Sequence, residues 1–155
     1  MIKADVLTNN KSWKKFIRAP NFYINKKLGI INKKTNLFKK KNCYFTLLLS
    51  GDMAVKKLNI KFKKKKTTTD ILSFPFHERK YLNKLLRKKK IKVYLGDIII
   101  NLNKIKNNSK NERFQLNFDK IWIHGLVHLL GYRHKSNFDF SVMQKLETKL
   151  LKTIK

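Results

Sequence analysis

The chain has 155 residues, of which 42% are hydrophobic and 12% aromatic. A chain of this length can bury about 70% of its unfolded surface, so we expect residues 1–155 to form a single domain and exclude intrinsic disorder. Thirty-eight Lys and Arg against nine Asp and Glu give a net charge of +29. That charge favours a polyanion such as nucleic acid as partner, although a biased coding composition would leave the same excess of lysine on a tolerant surface.

Cysteine usage and the absence of long apolar runs indicate the compartment. The one cysteine, Cys43, lies among apolar residues, which is typical of a buried thiol in a reducing environment. The N-terminus has no apolar stretch of signal-peptide length, and no apolar run approaches the roughly 18 residues of a membrane helix. We therefore expect a cytoplasmic protein with no membrane partner.

Apolar spacing predicts the elements of the first third of the chain. Apolar and polar residues alternate over residues 2–6, which predicts a strand. Ser12 is predicted to cap a short helix. Residues 26–42 are rich in Lys and Asn and predict a loop or a weak helix, after which residues 43–49 predict a second strand.

The middle of the chain predicts one helix and one edge strand. Residues 52–62 carry apolar residues at helical spacing, with Asp52 as the predicted N-cap. Residues 71–76 predict a strand that contains Pro75. Because proline cannot donate to a strand ladder, this strand belongs at a sheet edge, where a ligand can reach it. Residues 78–92 fit a helix or a loop.

The last third predicts an interior strand and two helices. Residues 93–101 are apolar on both faces, with Gly96 permitting close approach of a neighbouring backbone. Residues 118–130 predict a helix that ends at Gly131, and residues 138–151 predict the final helix. Strands and helices mix without regular alternation, so we expect an α+β fold with about four strands in a mixed sheet and four to five helices.

Three of the four histidines lie close together in HGLVHLLGYRH, residues 124–134. On a helix His124 and His128 project from one face, and Gly131 lets the chain return with His134. Three imidazole ligands with one open position are typical of a catalytic zinc site. Nickel or copper would accept the same ligands, and histidines that merely pack on an apolar helix are the other interpretation.

The spacing is that of zincins, HExxHxxGxxH, except that Gly125 stands where the glutamate general base belongs. Glycine cannot move a proton, so peptidase activity is disfavoured. A zinc ion in a protein site can lower the pKa of its bound water to about 7 without an adjacent carboxylate. A phosphodiester is a target whose developing charge zinc and nearby cations stabilise. The basic composition suits that substrate.

Residues 124–134 resemble the signature of the YbeY family, the bacterial endoribonucleases of ribosomal RNA maturation, usually HGxLHLxGYDH. Residues 58–76, LNIKFKKKKTTTDILSFPF, resemble the family's LNxxYRxxDxxTDVLSFPF, and residues 95–100, LGDIII, resemble its LGDIVI. Met143 and Glu147 are placed as in the family's MxxxE ending. The similar segments therefore extend over most of the chain.

The resemblance implies an α+β fold with a zincin-like metal helix. It implies one zinc ion on His124, His128 and His134, and metal-dependent cleavage of single-stranded RNA. It also implies a role on the small ribosomal subunit, in 3′-end maturation of its 16S RNA and in ribosome quality control.

Candidate catalytic residues are Lys63, His124 and His128, and candidate substrate-binding residues are Lys63 and Ser73. Lys63 stands where the family has arginine, so a phosphate would meet a point charge instead of a bidentate fork. Ser73 either lines the cleft beside zinc or faces the core. Arg133 replaces an Asp that could orient a ligand histidine, and is expected to weaken metal binding unless it points outward.

Five further residues near these motifs are expected to be structural. Asp70 fits a turn, and the alternative is that it lines the cleft. Asp97 lies in an apolar strand and needs a hydrogen-bonding partner, and the alternative is that it supports the metal ligands. His77 fits a polar loop. Phe74 and Phe76 are expected in the core, the alternative being stacking on bases.

Two functions of different classes follow from the sequence. The first is a zinc-dependent, single-strand-specific endoribonuclease, with attack by water or by the ribose 2′-hydroxyl left open. The second is a non-catalytic, zinc-stabilised ribosome-assembly or RNA-binding factor.

Overall fold

A four-stranded mixed β-sheet lies at the centre of the fold. The computed structural model describes residues 1–88, 90–106 and 111–155, without the side chains of residues 111 and 112. The strands are Ile2–Thr8 (β1), Asn42–Ser50 (β2), Ile71–Pro75 (β3) and Lys92–Asn101 (β4). Their order is β1-β2-β4-β3, with the first three parallel and β3 antiparallel to β4. The sheet matches the predicted strand number and puts β3 at an edge and β4 in the interior, as expected.

The described residues also form six α-helices and one short 3-10 helix, Lys11–Lys15. The α-helices are Pro20–Lys34 (α1), Asp52–Lys63 (α2), Arg79–Leu86 (α3), Leu102–Lys106 (α4), Asn111–Leu129 (α5) and Asn137–Ile154 (α6). The α+β class is confirmed, with one helix more than the upper expectation. None of the described helices combines the length and the apolar character needed to cross a lipid bilayer.

The main core fills the space between one sheet face and three long helices. Helix α1 packs on β1, α5 packs on β3 and β4, and α6 packs on α1 and α5. Large aromatic side chains occupy this core, and the Trp13 indole donates to the Ser50 carbonyl at 2.8 Å. A smaller cluster of Val55, Leu72 and Ile99 lies on the opposite face, against α2.

Two predicted helix caps are wrong, because both residues lie inside the helices that they were predicted to precede. Asn10, not Ser12, caps the 3-10 helix; its side chain accepts from the Ser12 amide at 3.0 Å. Gly51 precedes α2, and the carboxylate of Asp52 accepts from Asn101 at 2.7 Å instead of capping the helix.

Two glycines have the positive φ that their predicted roles require. Gly96 has φ +130, and a Cβ there would collide with the carbonyl of Phe74 on the edge strand. Gly131 has φ +85 just beyond the end of α5. Cys43 is buried as expected, and burial raises the pKa of its thiol to about 11.

Candidate metal centre and cleft

The C-terminal end of α5 brings the three predicted histidines together. His124 and His128 lie one turn apart, with their Nε2 atoms at 3.0 Å. The Gly131 amide donates to the His128 carbonyl at 2.8 Å, and the chain turns there so that the His134 ring centre comes 5.1 Å from that of His128. One nitrogen from each of the three imidazoles lies within 4.8 Å of the others.

Two acceptors outside the cluster orient two of its three imidazoles. With the proton on Nδ1, His124 donates to Glu147 Oε1 at 2.7 Å and His128 donates to the Tyr132 carbonyl at 2.9 Å. Both contacts leave Nε2 facing the cluster, which is how carboxylates and carbonyls fix ligand histidines in metal sites. Burial, the largest cause, lowers the pKa of His128 and favours the neutral imidazole that can ligate.

The donor set fits a divalent transition metal. Three convergent imidazole nitrogens, two of them oriented by acceptors on the far ring nitrogen, are ligands that such an ion accepts. Glu147 comes from α6, 23 residues along the chain from its partner. The sequence places Glu147 only within the family's ending, and no local pattern indicates its contact with His124.

Gly125 allows α5 to pack tightly on the sheet. A Cβ at this position would lie 2.8 Å from Ile71 Cδ1 and 3.0 Å from Ile98 Cδ1. A glutamate here would project into the contact between helix and sheet. The structure therefore supplies a steric reason, besides the missing carboxylate, against a zincin peptidase mechanism at this position.

The histidines line one wall of an open cleft of about 650 Å³. Lys63, the last residue of α2, and Ser73, in the middle of β3, line the same cleft. Asp70, which we expected in a turn, also lines it. The structure thus brings the predicted catalytic, substrate-binding and metal residues to one place, while their roles stay predictions.

The buried side-chain amide of Asn101 fixes the loop before β3, which forms part of the cleft wall. The fully buried Asn101 side chain donates to Asp52 Oδ1 at 2.7 Å, to Thr68 Oγ1 at 2.9 Å and to the Thr69 carbonyl at 3.1 Å. Its backbone amide donates to the Asp70 carbonyl at 2.8 Å. These bonds tie the cleft wall to the end of β4. Sequence reasoning missed this role, although a polar residue ending a buried strand signals it.

The segment that follows Lys63 is fixed by similar means. Lys64 has φ 53 and ends α2, with its amide donating to the Ile60 carbonyl at 3.1 Å. The buried Asn59 side chain donates to the Thr67 carbonyl at 2.7 Å. The turn therefore presents the exposed Lys63 side chain from an anchored backbone.

The remaining candidate residues divide between structural and exposed positions. Asp97 has the expected partner, accepting from the Tyr94 hydroxyl, and lies beside Thr46 and Phe74 across the sheet. Phe74 packs against the smaller apolar cluster. Phe76 is 66% exposed, so the expectation that it lies in the core is wrong; β3 ends at Pro75, before the chain reaches it.

Arg133 is exposed at the mouth of the cleft. Glu147, on a different element, accepts from a candidate ligand imidazole. Orientation of that ring therefore does not depend on an acidic side chain at position 133.

Comparison with known proteins decides the family. The sequence model of the family described as Endoribonuclease YbeY matches residues 8–155. This chain belongs to the YbeY endoribonuclease family. The Endoribonuclease YbeY of Pelagibacter ubique is 41% identical, with 100% of this chain and 97% of the relative covered. That of Thermodesulfovibrio yellowstonii is 38% identical, over 84% of this chain and 76% of the relative.

A solved structure supports the fold. The solution structure of TM1509 from Thermotoga maritima superposes with a TM-score of 0.59 at 22% identity, covering 99% of this chain and 89% of that one. The YbeY-family signature in the sequence, the α+β class and the histidine cluster at the end of α5 thus agree with one another.

Proposed function

We propose that this chain is a zinc-dependent endoribonuclease that cuts single-stranded RNA and processes ribosomal RNA. The observation that carries the proposal is the convergence of three imidazoles beside a lysine-bearing cleft in a chain of the YbeY endoribonuclease family. The net charge of +29 supports an RNA substrate.

His124, His128 and His134 would hold the ion, and His124 and His128 would act in catalysis as its ligands from the metal helix. A zinc ion there would supply a Lewis acid for a phosphoryl oxygen and lower the pKa of a water. Glu147 accepts from His124 and keeps that ring turned towards the cluster. The Tyr132 carbonyl does the same for His128.

The remaining cleft residues would bind and orient the RNA. Lys63 offers an ammonium group to the charge that develops on the phosphate. Ser73 is half-buried on β3, where its hydroxyl can form a hydrogen bond with an RNA strand that lies along the sheet edge. The outer side of β3 has no strand partner in the described sheet, so an extended ligand can lie there.

The proposal extends to the setting implied by the family resemblance. Residues 1–155 act as a single YbeY-like domain in the cytoplasm, on ribosomal RNA of the small subunit, with 16S 3′-end maturation and ribosome quality control as the processes. The competing function is the non-catalytic assembly factor, which Lys63 favours because it replaces the family's arginine with a weaker phosphate ligand.

Substrate form tests the proposal. Zinc-loaded protein is incubated with one labelled sequence as single-stranded RNA, as an RNA duplex and as single-stranded DNA. We expect cleavage of the single-stranded RNA and much slower cleavage of the duplex. Rapid cleavage of the DNA would exclude attack by the 2′-hydroxyl. Tight RNA binding without cleavage, by protein that holds zinc, would favour the assembly factor.

A further inference from the structure

A second basin adjoins the histidine cleft. It has a volume of about 370 Å³ and is lined by Pro75, His77, Glu78, Arg79, Lys80 and Arg133, among others. Pro75 and Arg133 line both this basin and the histidine cleft. An RNA strand that leaves the cleft past the end of β3 would therefore enter the basin directly.

The basin carries three cations against one acid. Arg79, Lys80 and Arg133 are exposed, and Glu78 is the acid among the described lining residues. Within the described part of the chain, Arg133 makes no hydrogen bond or ion pair with another side chain. Its guanidinium is thus free to form bidentate hydrogen bonds with a phosphate.

Close packing holds Arg79 against the end of the metal helix. Its guanidinium carbon lies 4.1 Å from the centre of the Tyr132 ring. A Cβ on Gly131 would come within 2.9 Å of the Arg79 Cα, so the start of α3 can approach this turn only because residue 131 is glycine. Tyr132 also accepts from His128 through its carbonyl. The same turn therefore positions a candidate metal ligand and a cation of the basin.

Two exposed aromatic rings lie against His77, one of the residues that line the basin. Phe76 is 66% and Tyr81 56% exposed. The ring of His77 lies between them, 4.9 Å from that of Phe76 and 5.5 Å from that of Tyr81. Cations beside exposed rings are typical of sites that bind single-stranded nucleic acid, with phosphates on the cations and bases on the rings.

We propose that this basin binds the nucleotide next to the cleavage position, with Arg133 and Arg79 on its phosphate and the ring of Tyr81 or Phe76 under its base. The inference rests on the proposed function and adds a binding subsite to it. Arg133 stands where the family's pattern has Asp, so the subsite is a property of this chain and should give it tighter binding at that phosphate than a chain with the acid.

The test compares Arg133→Gln, Arg133→Lys and Lys152→Ala. Lys152 is an exposed lysine on α6, away from both the cleft and the basin. For a single-stranded RNA substrate, Arg133→Gln should raise KM about tenfold with kcat within about twofold, and lower the salt dependence of binding by about 0.7 in log–log slope. Arg133→Lys should keep the salt slope, and Lys152→Ala should leave KM unchanged.

Two further readouts distinguish a nucleotide subsite from a role of Arg133 in the metal centre. Zinc content is measured for every variant, because a loss in Arg133→Gln would mean that Arg133 supports the metal centre and would overturn the inference. Tyr81→Ala or Phe76→Ala should raise KM for the full RNA but not for one with an abasic residue at the flanking position, and an unchanged KM in both variants would overturn the placement of the base. Equal KM and salt slope for Arg133→Gln and Lys152→Ala would also overturn it.

Failure of the proposed function is distinguishable from failure of the subsite. If the parent does not cleave, the salt slope is read by fluorescence anisotropy of a labelled RNA of the same sequence. A smaller slope for Arg133→Gln than for the parent then still supports the basin as a phosphate site, and an equal slope refutes it. An acidic peptide that binds the basin more tightly than the RNA would also overturn the inference.

Discussion

Glu147 is expected to set the affinity of the histidine cluster for zinc. Its Oε1 lies 2.7 Å from His124 Nδ1, and the two side chains are 23% and 35% exposed. Replacing Glu147 with Ala removes the acceptor that fixes the ring. Loss of such a partner typically costs 10- to 100-fold in metal affinity, which corresponds to about 1.4 to 2.8 kcal/mol.

The same contact should contribute little to folding. Because both side chains reach solvent, their interaction is screened, and we expect its loss to cost less than about 1 kcal/mol of unfolding free energy. Glu147→Gln keeps a carbonyl acceptor without the charge and should fall between Ala and the parent. Gln144→Ala, an exposed change on the same helix, serves as the control.

Competition with a chromophoric chelator measures zinc affinity, and urea denaturation of the metal-free protein measures stability. We expect Glu147→Ala to lose zinc affinity while its denaturation midpoint stays near that of Gln144→Ala. Zinc affinity equal to that of the parent would refute the reasoning. A large loss of stability would show that the contact holds α6 in place instead of orienting a ligand.

Three other substitutions test the packing of α5, a buried carboxylate and the cleft lysine. Gly125→Glu should lower the unfolding free energy by at least about 3 kcal/mol in urea denaturation, because the side chain enters the contact between α5 and the sheet; unchanged stability would contradict that packing. Asp119→Ala should cost about 3 kcal/mol, since the buried carboxylate accepts from Trp122 Nε1 at 3.0 Å, Tyr23 and Lys27; a cost below about 1 kcal/mol would contradict it. Lys63→Ala should lower kcat/KM for RNA by about 10- to 100-fold, whereas Lys66→Ala, at an exposed lysine of the same segment, should change it by less than about twofold. Equal effects of the two substitutions would show a general charge contribution.

The histidine cluster and the edge strand could be predicted from the sequence because local spacing determines them. The i, i+4 pair of His124 and His128 fixes two imidazoles on one helical face, and Gly131 marks the turn that returns the third. Pro75 excludes an interior strand without reference to the rest of the fold. These features needed no knowledge of which elements pack together.

Features that long-range packing determines could not be predicted from the sequence. Helix α1 has a Lys- and Asn-rich sequence, and its buried residues Ile24, Leu28 and Ile31 acquire their role only against β1 and α6. The carboxylate of Asp52 is taken by a side chain 49 residues away, which no capping rule anticipates. The contact between Arg79 and the turn at Gly131 likewise depends on where α3 packs in the fold.

The most direct test of the central claim compares zinc-dependent RNA cleavage by the parent with that by a variant that lacks one of the three histidines. Parent, His128→Ala and Lys120→Ala, an exposed change on the same helix, are freed of metal, reloaded with zinc and incubated with labelled single-stranded RNA. We expect the parent and Lys120→Ala to cut only after zinc is restored, and folded His128→Ala to lose both bound zinc and cleavage. Equal cleavage by all three, with or without zinc, would contradict the assignment of the histidine cluster as the metal centre of an endoribonuclease.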